Sequence, residues 1–387
     1  MALVKPDTSR LAKIKVISIG GGGGNAINHM IHEIKIDAVE FIAMNTDAQV
    51  LLNNSADTKL QIGEKITRGL GVGGDPEVGQ KAAEESREKI KELLIDSDMV
   101  FLTAGMGGGT GTGATPVVAQ IARESGALTV AIVTKPFAFE GARRAVSAED
   151  GIEKLADCVD ALIVIPNQRL MDVIDRKVSL LDAFKVVDSV LTQGVQGIAE
   201  IITIPGLINV DFADVRTIMR DAGSALLGIG TGIGENRAQM AARAAISSPL
   251  LDLSIEGAKG VLFNIAGGLD MTMNEVDEAA RIISETVDAD ANIIFGATIN
   301  EKLSDQLRIT VVATGFDQMR SKLGRMVNVS RPKPVEQTAG LVGEVNKNVI
   351  DKKEEPTQTI EEVNKKPNGK DEWGEEFEIP AFLRQGR

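Results

Sequence analysis

A single cysteine, Cys158, stands among 387 residues. No intrachain disulfide can form, and a reducing compartment is expected. No stretch approaches the roughly 18 uninterrupted apolar residues of a membrane-spanning helix. The opening residues, MALVKPDTSR, lack the apolar run of a signal peptide. A cytoplasmic protein without direct membrane insertion is the expectation. Positive charge is also short: 42 Lys and Arg against 55 Asp and Glu leave a formal charge of −13. That balance argues against nucleic acid or an anionic membrane as the main partner. A further absence concerns phosphate. A lysine-type P-loop needs Gly-Lys followed by Ser or Thr, and the one Gly-Lys pair, Gly369–Lys370, precedes Asp371.

Glycine is nevertheless concentrated at two points, Gly20 to Gly24 and the stretch GMGGGTGTGA at 105–114. Each follows an apolar run of strand character. Such runs lie at 14–19, 39–44, 98–103, 127–133 and 160–165, most of them separated by helical patterns such as 76–94. Strands alternating with helices predict an α/β, doubly wound parallel sheet. In that architecture ligands bind beyond the carboxyl ends of the strands, where both glycine clusters fall. A long helix is expected over about 179–202. Ser179 and Asp182 resemble a capping box, and Leu180, Phe184, Val187, Leu191, Val195, Ile198 and Ile202 keep helical spacing. A second α/β unit follows, with strands near 223–229, 260–265, 292–298 and 307–313 and helices near 235–247 and 274–288. The division reads as a nucleotide-binding domain over 1–178, a connecting helix over 179–205 and a second domain over 206–318. Beyond these lie a flexible polar linker over 319–374 and a docking peptide over 375–387. The linker holds too few apolar residues to offset the entropy of ordering. The peptide, with EEFEIPAFLR at its start, turns apolar again, as a groove-binding segment does.

Three readings of the glycines compete. A nicotinamide enzyme would use Gly20 to Gly24 with Asp47 at the end of the second strand. A purely structural role would let turns and helix–strand packing come close. A phosphate cradle without lysine would converge backbone N–H groups on an anion, helped by the following helix N-terminus.

The loop GGGTGTG at 107–113 is the signature of the tubulin and FtsZ GTPases. The chain resembles the FtsZ members of that family over nearly its whole length, through GGGGNA (21–26), NTDAQ (45–49), TRGLG (67–71), PFAFEGARR (136–144), IPN (165–167), NVDFADV (209–215) and IPAFLR (379–384). The resemblance implies GTP or GDP bound by Gly21, Gly22, Gly23, Gly24 and Asn25 and by Gly108, Gly109, Thr110 and Gly111. It places Glu140 on the ribose, Arg144 near phosphate, and Asn167, Phe184 and Asp188 near the base. One carboxylate can accept the adjacent N1–H and N2–H donors of guanine, a pair that adenine lacks. Magnesium is expected with the phosphates, without a dedicated side-chain cage. Asp211 and Asp214 have the spacing of a helix cap and its acidic third residue. In the family their loop, with Asn209, enters the next subunit's site and orients the attacking water. The resemblance further implies head-to-tail homopolymers, a division ring at midcell, division-site regulators, and membrane tethering through FtsA-type proteins that bind the terminal peptide. A filament protein of the same superfamily without catalysis, and a dinucleotide oxidoreductase, remain as alternatives from other classes.

Overall fold

A computed structural model describes residues 12–34, 38–171, 178–204, 206–248 and 254–316. The expected linker and docking peptide lie outside the described residues, as does Pro205 after the long helix.

The apolar runs become parallel strands: β1 (Ile14–Ile19), β2 (Val39–Asn45), β4 (Met99–Gly105), β5 (Leu128–Lys135) and β6 (Ala161–Pro166), with a short β3 (Thr58–Gln61) beyond β2. Along β1, Val16 belongs to one buried cluster and Ile17 to another. A strand buried on alternating faces lies in a sheet covered on both sides, as parallel sheets are. One cover consists of α1 (Gly20–Glu33) and the long helix. The other consists of α2 (Pro76–Glu85), α3 (Arg87–Leu94), α4 (Thr110–Glu124) and α5 (Ala142–Ala156). The single helix expected over 76–94 is broken at Ser86, which caps α2 and starts α3. Its buried hydroxyl accepts the Gly63 N–H at 3.0 Å.

The long helix, α6 (Leu180–Thr203), begins at Ser179, whose hydroxyl accepts from the Asp182 amide. Val187, Leu191, Val195 and Ile198 are buried along it, whereas Leu180 is 61% exposed, so the buried stripe starts later than the spacing implied. A loop then leads to α7 (Phe212–Met219) and β7 (Gly223–Ile233), followed by α8 (Arg237–Ile246), β8 (Gly260–Gly267), α9 (Met273–Ser284), β9 (Asn292–Ile299) and β10 (Gln306–Thr314).

The ten strands of the described residues form one sheet in the order β3-β2-β1-β4-β5-β6-β7-β10-β8-β9. β7 meets β6 in parallel over three residue pairs, and β10 inserts antiparallel between β7 and β8. Gly228, Gly230 and Gly232 share one face of β7. A Cβ on each would lie about 2 Å from the Ala245, Ala241 or Arg237 carbonyl oxygen of α8 (2.1, 2.0 and 2.0 Å). These glycines set how closely helix and strand pack.

Candidate nucleotide site

The chain runs from β1 outward to β2 and β3, then returns to the other side of β1 as β4. The switch point of this doubly wound sheet therefore lies between β1 and β4. The two glycine loops leave the carboxyl ends of those two strands. They touch one another. A Cβ on Gly20, whose φ is +76°, would lie 2.9 Å from the Gly111 amide nitrogen. Gly23 presses on the Thr103 carbonyl, Gly111 on that of Gly105, and Gly109 on Val72 and Asp75. Gly21 and Gly108 instead have nothing within 4 Å of a Cβ position. Some of these glycines serve close packing, while others leave an open face.

That open face is rich in donors. The first amides of any α-helix have no acceptor within the helix. α2, α6, α7 and α9 satisfy some of theirs with the side chains of Asp75, Ser179, Asp211 and Thr272. α1 and α4 have neither a side-chain cap nor an acidic residue in the first turn. Two uncapped helix N-termini thus meet at one place, with partial positive charge suited to phosphate. Thr110 fixes the second loop to the end of β2 through a 2.7 Å contact between its hydroxyl and that of Thr46. The Thr112 hydroxyl accepts the Gly107 N–H at 2.9 Å. Asp47, which a dinucleotide enzyme would turn to ribose, spends its carboxylate on the Gln49 and Val50 amides.

Further along the same edge, β5 leads into Phe137–Glu140. Glu140 accepts the Phe137 N–H with Oε1 (2.9 Å) and Arg144 Nη1 with Oε2 (2.6 Å). Arg144 itself is exposed. Phe137 stacks on Phe139 with ring centroids 5.1 Å apart, and meets Phe184 of α6 edge-on at 5.4 Å. This aromatic cluster joins the β5 loop to the long helix. The two phenylalanines of PFAFEG were its signal in the sequence, but spacing alone did not reveal the contact with Phe184.

Asn167 follows β6 directly. It is buried, and its Oδ1 has no hydrogen-bond partner. An orphaned acceptor of this kind calls for a ligand or water donor. Asp188, one turn beyond Phe184, is half-buried, and desolvation raises its carboxyl to about 6. The Asp188 carbonyl accepts the Thr192 hydroxyl, which lies 3.1 Å from His29 Nδ1 and so links α6 to the helix behind the first glycine loop. Asn25 is exposed on α1.

Asp211 and Asp214 lie elsewhere. They form a reciprocal capping box at the start of α7, with Asp214 N–H donating to Asp211 at 2.9 Å and Asp211 N–H to Asp214 at 3.3 Å. Asn209 accepts the Gly206 amide at 2.6 Å. Asp188 sits near the first turns of α6, and this loop follows its last. At 1.5 Å per residue, the helix from Asp188 to Thr203 spans about 23 Å. Within one chain the two groups are far apart. Among the described residues no cluster of three His, Cys, Asp or Glu side chains could hold a metal. No helix among them is long and apolar enough to cross a membrane.

Paired uncapped helix ends at the switch point of a doubly wound sheet mark the class: a nucleotide-binding α/β protein. Residues 13–175 match the model of the Tubulin/FtsZ family, GTPase domain, and residues 223–317 that of the FtsZ family, C-terminal domain. A solved FtsZ dimer from M. jannaschii, described as empty, is 48% identical with a TM-score of 0.77, over 80% of this chain and 90% of that one. Two Haloferax volcanii structures share the fold at lower identity. CetZ2, a GTPγS-bound protofilament, is 22% identical with a TM-score of 0.68, over 82% and 98% of the two chains. CetZ1, a GDP-bound monomer, is 19% identical with a TM-score of 0.69, over 82% and 100%. The chain belongs to the FtsZ branch of the tubulin/FtsZ GTPase family, a cytoskeletal fold that binds guanine nucleotide and hydrolyses GTP.

Proposed function

We propose that this GTPase polymerises head-to-tail and completes hydrolysis between subunits, forming the ring that marks the division site in the cytoplasm. The nucleotide lies along the carboxyl edge of β1, β4, β5 and β6. Amides of Gly21 to Asn25 and of Gly108 to Gly111 hold the phosphates, and Thr110 adds a hydroxyl. Glu140 accepts from the ribose, with Arg144 beside it. Asp188 accepts the guanine N1–H and N2–H pair, Asn167 uses its free Oδ1, and the Phe184 ring packs on the base. Magnesium, held mainly by phosphate oxygens, offsets their charge.

The separation along α6 is the observation that carries this reading. Asp211 is exposed and cannot reach the nucleotide of its own chain, but a second copy stacked head-to-tail could receive it. Asp211 and Asp214 then polarise the attacking water while still capping α7. Such heterologous contacts generate open filaments. The division into residues 1–178, 179–205 and 206–318 follows the same logic, with one half-site on each side of the connecting helix. The tail 319–387 serves as tether and docking peptide for an FtsA-type protein, and division-site regulators act on the polymer.

A mixing experiment tests the trans arrangement. Asp211→Ala should bind GTP normally and hydrolyse it poorly. Adding an Asp188→Ala partner, defective in binding but with an intact loop, should restore turnover above a threshold concentration. Equal specific activity at all concentrations, or no rescue, would sink the proposal. Absence of any GTP turnover in the parent protein would instead favour a filament protein without catalysis.

A further inference from the structure

At the amino-terminal ends of β5 and β6, on the edge of the sheet away from the glycine loops, three arginines meet. Arg123 comes from the last turn of α4, while Arg216 and Arg220 come from the end of α7. With Gly126, Ala127, Leu128, Asp160 and Asp221 they line a cavity of about 80 Å³. A water molecule takes about 30 Å³ of liquid volume, so the space suits one small polyatomic ion.

The two carboxylates of the wall are already engaged. Asp160 is buried and accepts the Thr129 amide at 2.8 Å and the Asp221 amide at 3.4 Å, with Arg123 Nε at 3.8 Å. Asp221 pairs with Arg123 Nη2. The guanidinium groups of Arg216 and Arg220 have no hydrogen-bonded or ionic partner among the described residues. They stand four residues apart, a spacing at which like charges on a helix repel. The dipole at the end of α7 favours cations there, which accounts for their sign but not for their convergence with Arg123 on a cavity. The Ala127 amide, in a buried residue of the same wall, also finds no acceptor among the described residues. With Arg123 held by Asp160, Asp221 and the Asp157 carbonyl, the guanidiniums of Arg216 and Arg220 and the Ala127 N–H are left over on this wall.

We infer that this cavity is a second anion site, separate from the nucleotide, that takes a tetrahedral oxyanion of the phosphate class. Guanidinium groups bind such ions through paired N–H donors, with a geometry that an ammonium does not reproduce. An ion held there joins α7, which follows the Asp211 loop, to the end of α4, which begins in the second glycine loop.

The test uses the full chain below its polymerisation threshold, with the nucleotide site filled by a slowly hydrolysed GTP analogue. Inorganic phosphate is titrated against sodium chloride of equal ionic strength. The readouts are the thermal midpoint and the ³¹P linewidth of the free phosphate resonance. Phosphate should raise the midpoint and broaden the resonance more than chloride accounts for. The double variant Arg216→Gln, Arg220→Gln should lose both effects while keeping parental nucleotide affinity. Arg220→Lys should recover only part of the response. A parallel titration with glycerol phosphate tells a free ion from the head of a larger molecule: binding of both identifies a phosphoryl group open to solvent, and binding of phosphate alone a closed ion site. No response in the parent protein, or an undiminished one in the double variant, overturns the inference. Should the double variant not fold, Arg220→Gln alone decides by the same criterion.

Discussion

Glycine is used in opposite ways by the two halves of the sheet. In the first half the clusters lie after β1 and β4, where some glycines bring the loops together and Gly21 and Gly108 face open space at their Cβ positions. In the second half Gly228, Gly230 and Gly232 lie inside β7 and are filled by the backbone of α8. Both stretches are glycine-rich, but only the first lies at uncapped helix N-termini of the kind suited to an anion. Position relative to the strand end decides the role: past the end amides are released from the ladder, and within the strand they belong to it.

The largest effects should separate these two uses. Gly230→Ala puts a Cβ 2.0 Å from the Ala241 carbonyl. It should cost more than about 3 kcal/mol, the upper range for overpacking, and leave little folded protein. Gly21→Ala meets no atom within 4 Å. Its thermal midpoint should match or slightly exceed the parent's, since alanine favours a helix over glycine, while GTP binding weakens roughly tenfold, about 1.4 kcal/mol. If Gly21→Ala unfolds or Gly230→Ala is tolerated, the contrast fails.

Asp188 comes next. Replacement by alanine should weaken GTP binding by about 1–3 kcal/mol, the cost of leaving guanine donors unpaired. Its pH dependence is sharper. Burial raises the carboxyl from 3.8 to about 6, so between those values the empty folded protein retains a proton that the unfolded chain has released. Stability from this group is complete below pH 3.8 and is lost as pH rises through about 6. Empty Asp188→Asn should therefore be more stable than the parent at pH 8, in thermal melts at matched ionic strength. GTP affinity of the parent should move the other way and decline below about pH 6, because only the carboxylate accepts both guanine protons. Affinity independent of pH from 5 to 8 would remove Asp188 from the base contact. The smallest effect belongs to Arg144. Its pair with Glu140 is exposed on the arginine side, so Arg144→Ala should change stability by less than about 0.5 kcal/mol in denaturant titrations. A larger loss confined to GTP-bound protein would mark contact with phosphate.

What could be read in the sequence follows from the range of the forces involved. β1, β4, β5 and β6 stood out because buried parallel strands are apolar throughout, and the caps at Ser179 and Asp211 because capping is local. β3 escaped, since TKLQ at the sheet edge has no apolar run. The break at Ser86 escaped because its cause, the Gly63 amide, is 23 residues away. The orphaned Oδ1 of Asn167 could not be foreseen: the family motif picked out the residue, but only packing shows that nothing in the chain satisfies it.

The insertion of β10 between β7 and β8 has a consequence for synthesis. The strands from β1 to β5 find all their neighbours within the first 166 residues, and β6 waits only for β7, so that part of the sheet can assemble while the ribosome is still translating. β7 cannot complete its ladder until Gln306–Thr314 emerges. The roughly 70 residues between these strands take on the order of 4–15 s to translate. During that interval the nascent chain carries an open, glycine-rich strand edge, the kind of surface that pairs with a neighbouring chain. Chains stalled before Gln306 on crowded polysomes should therefore be the ones that chaperones hold and that aggregate first.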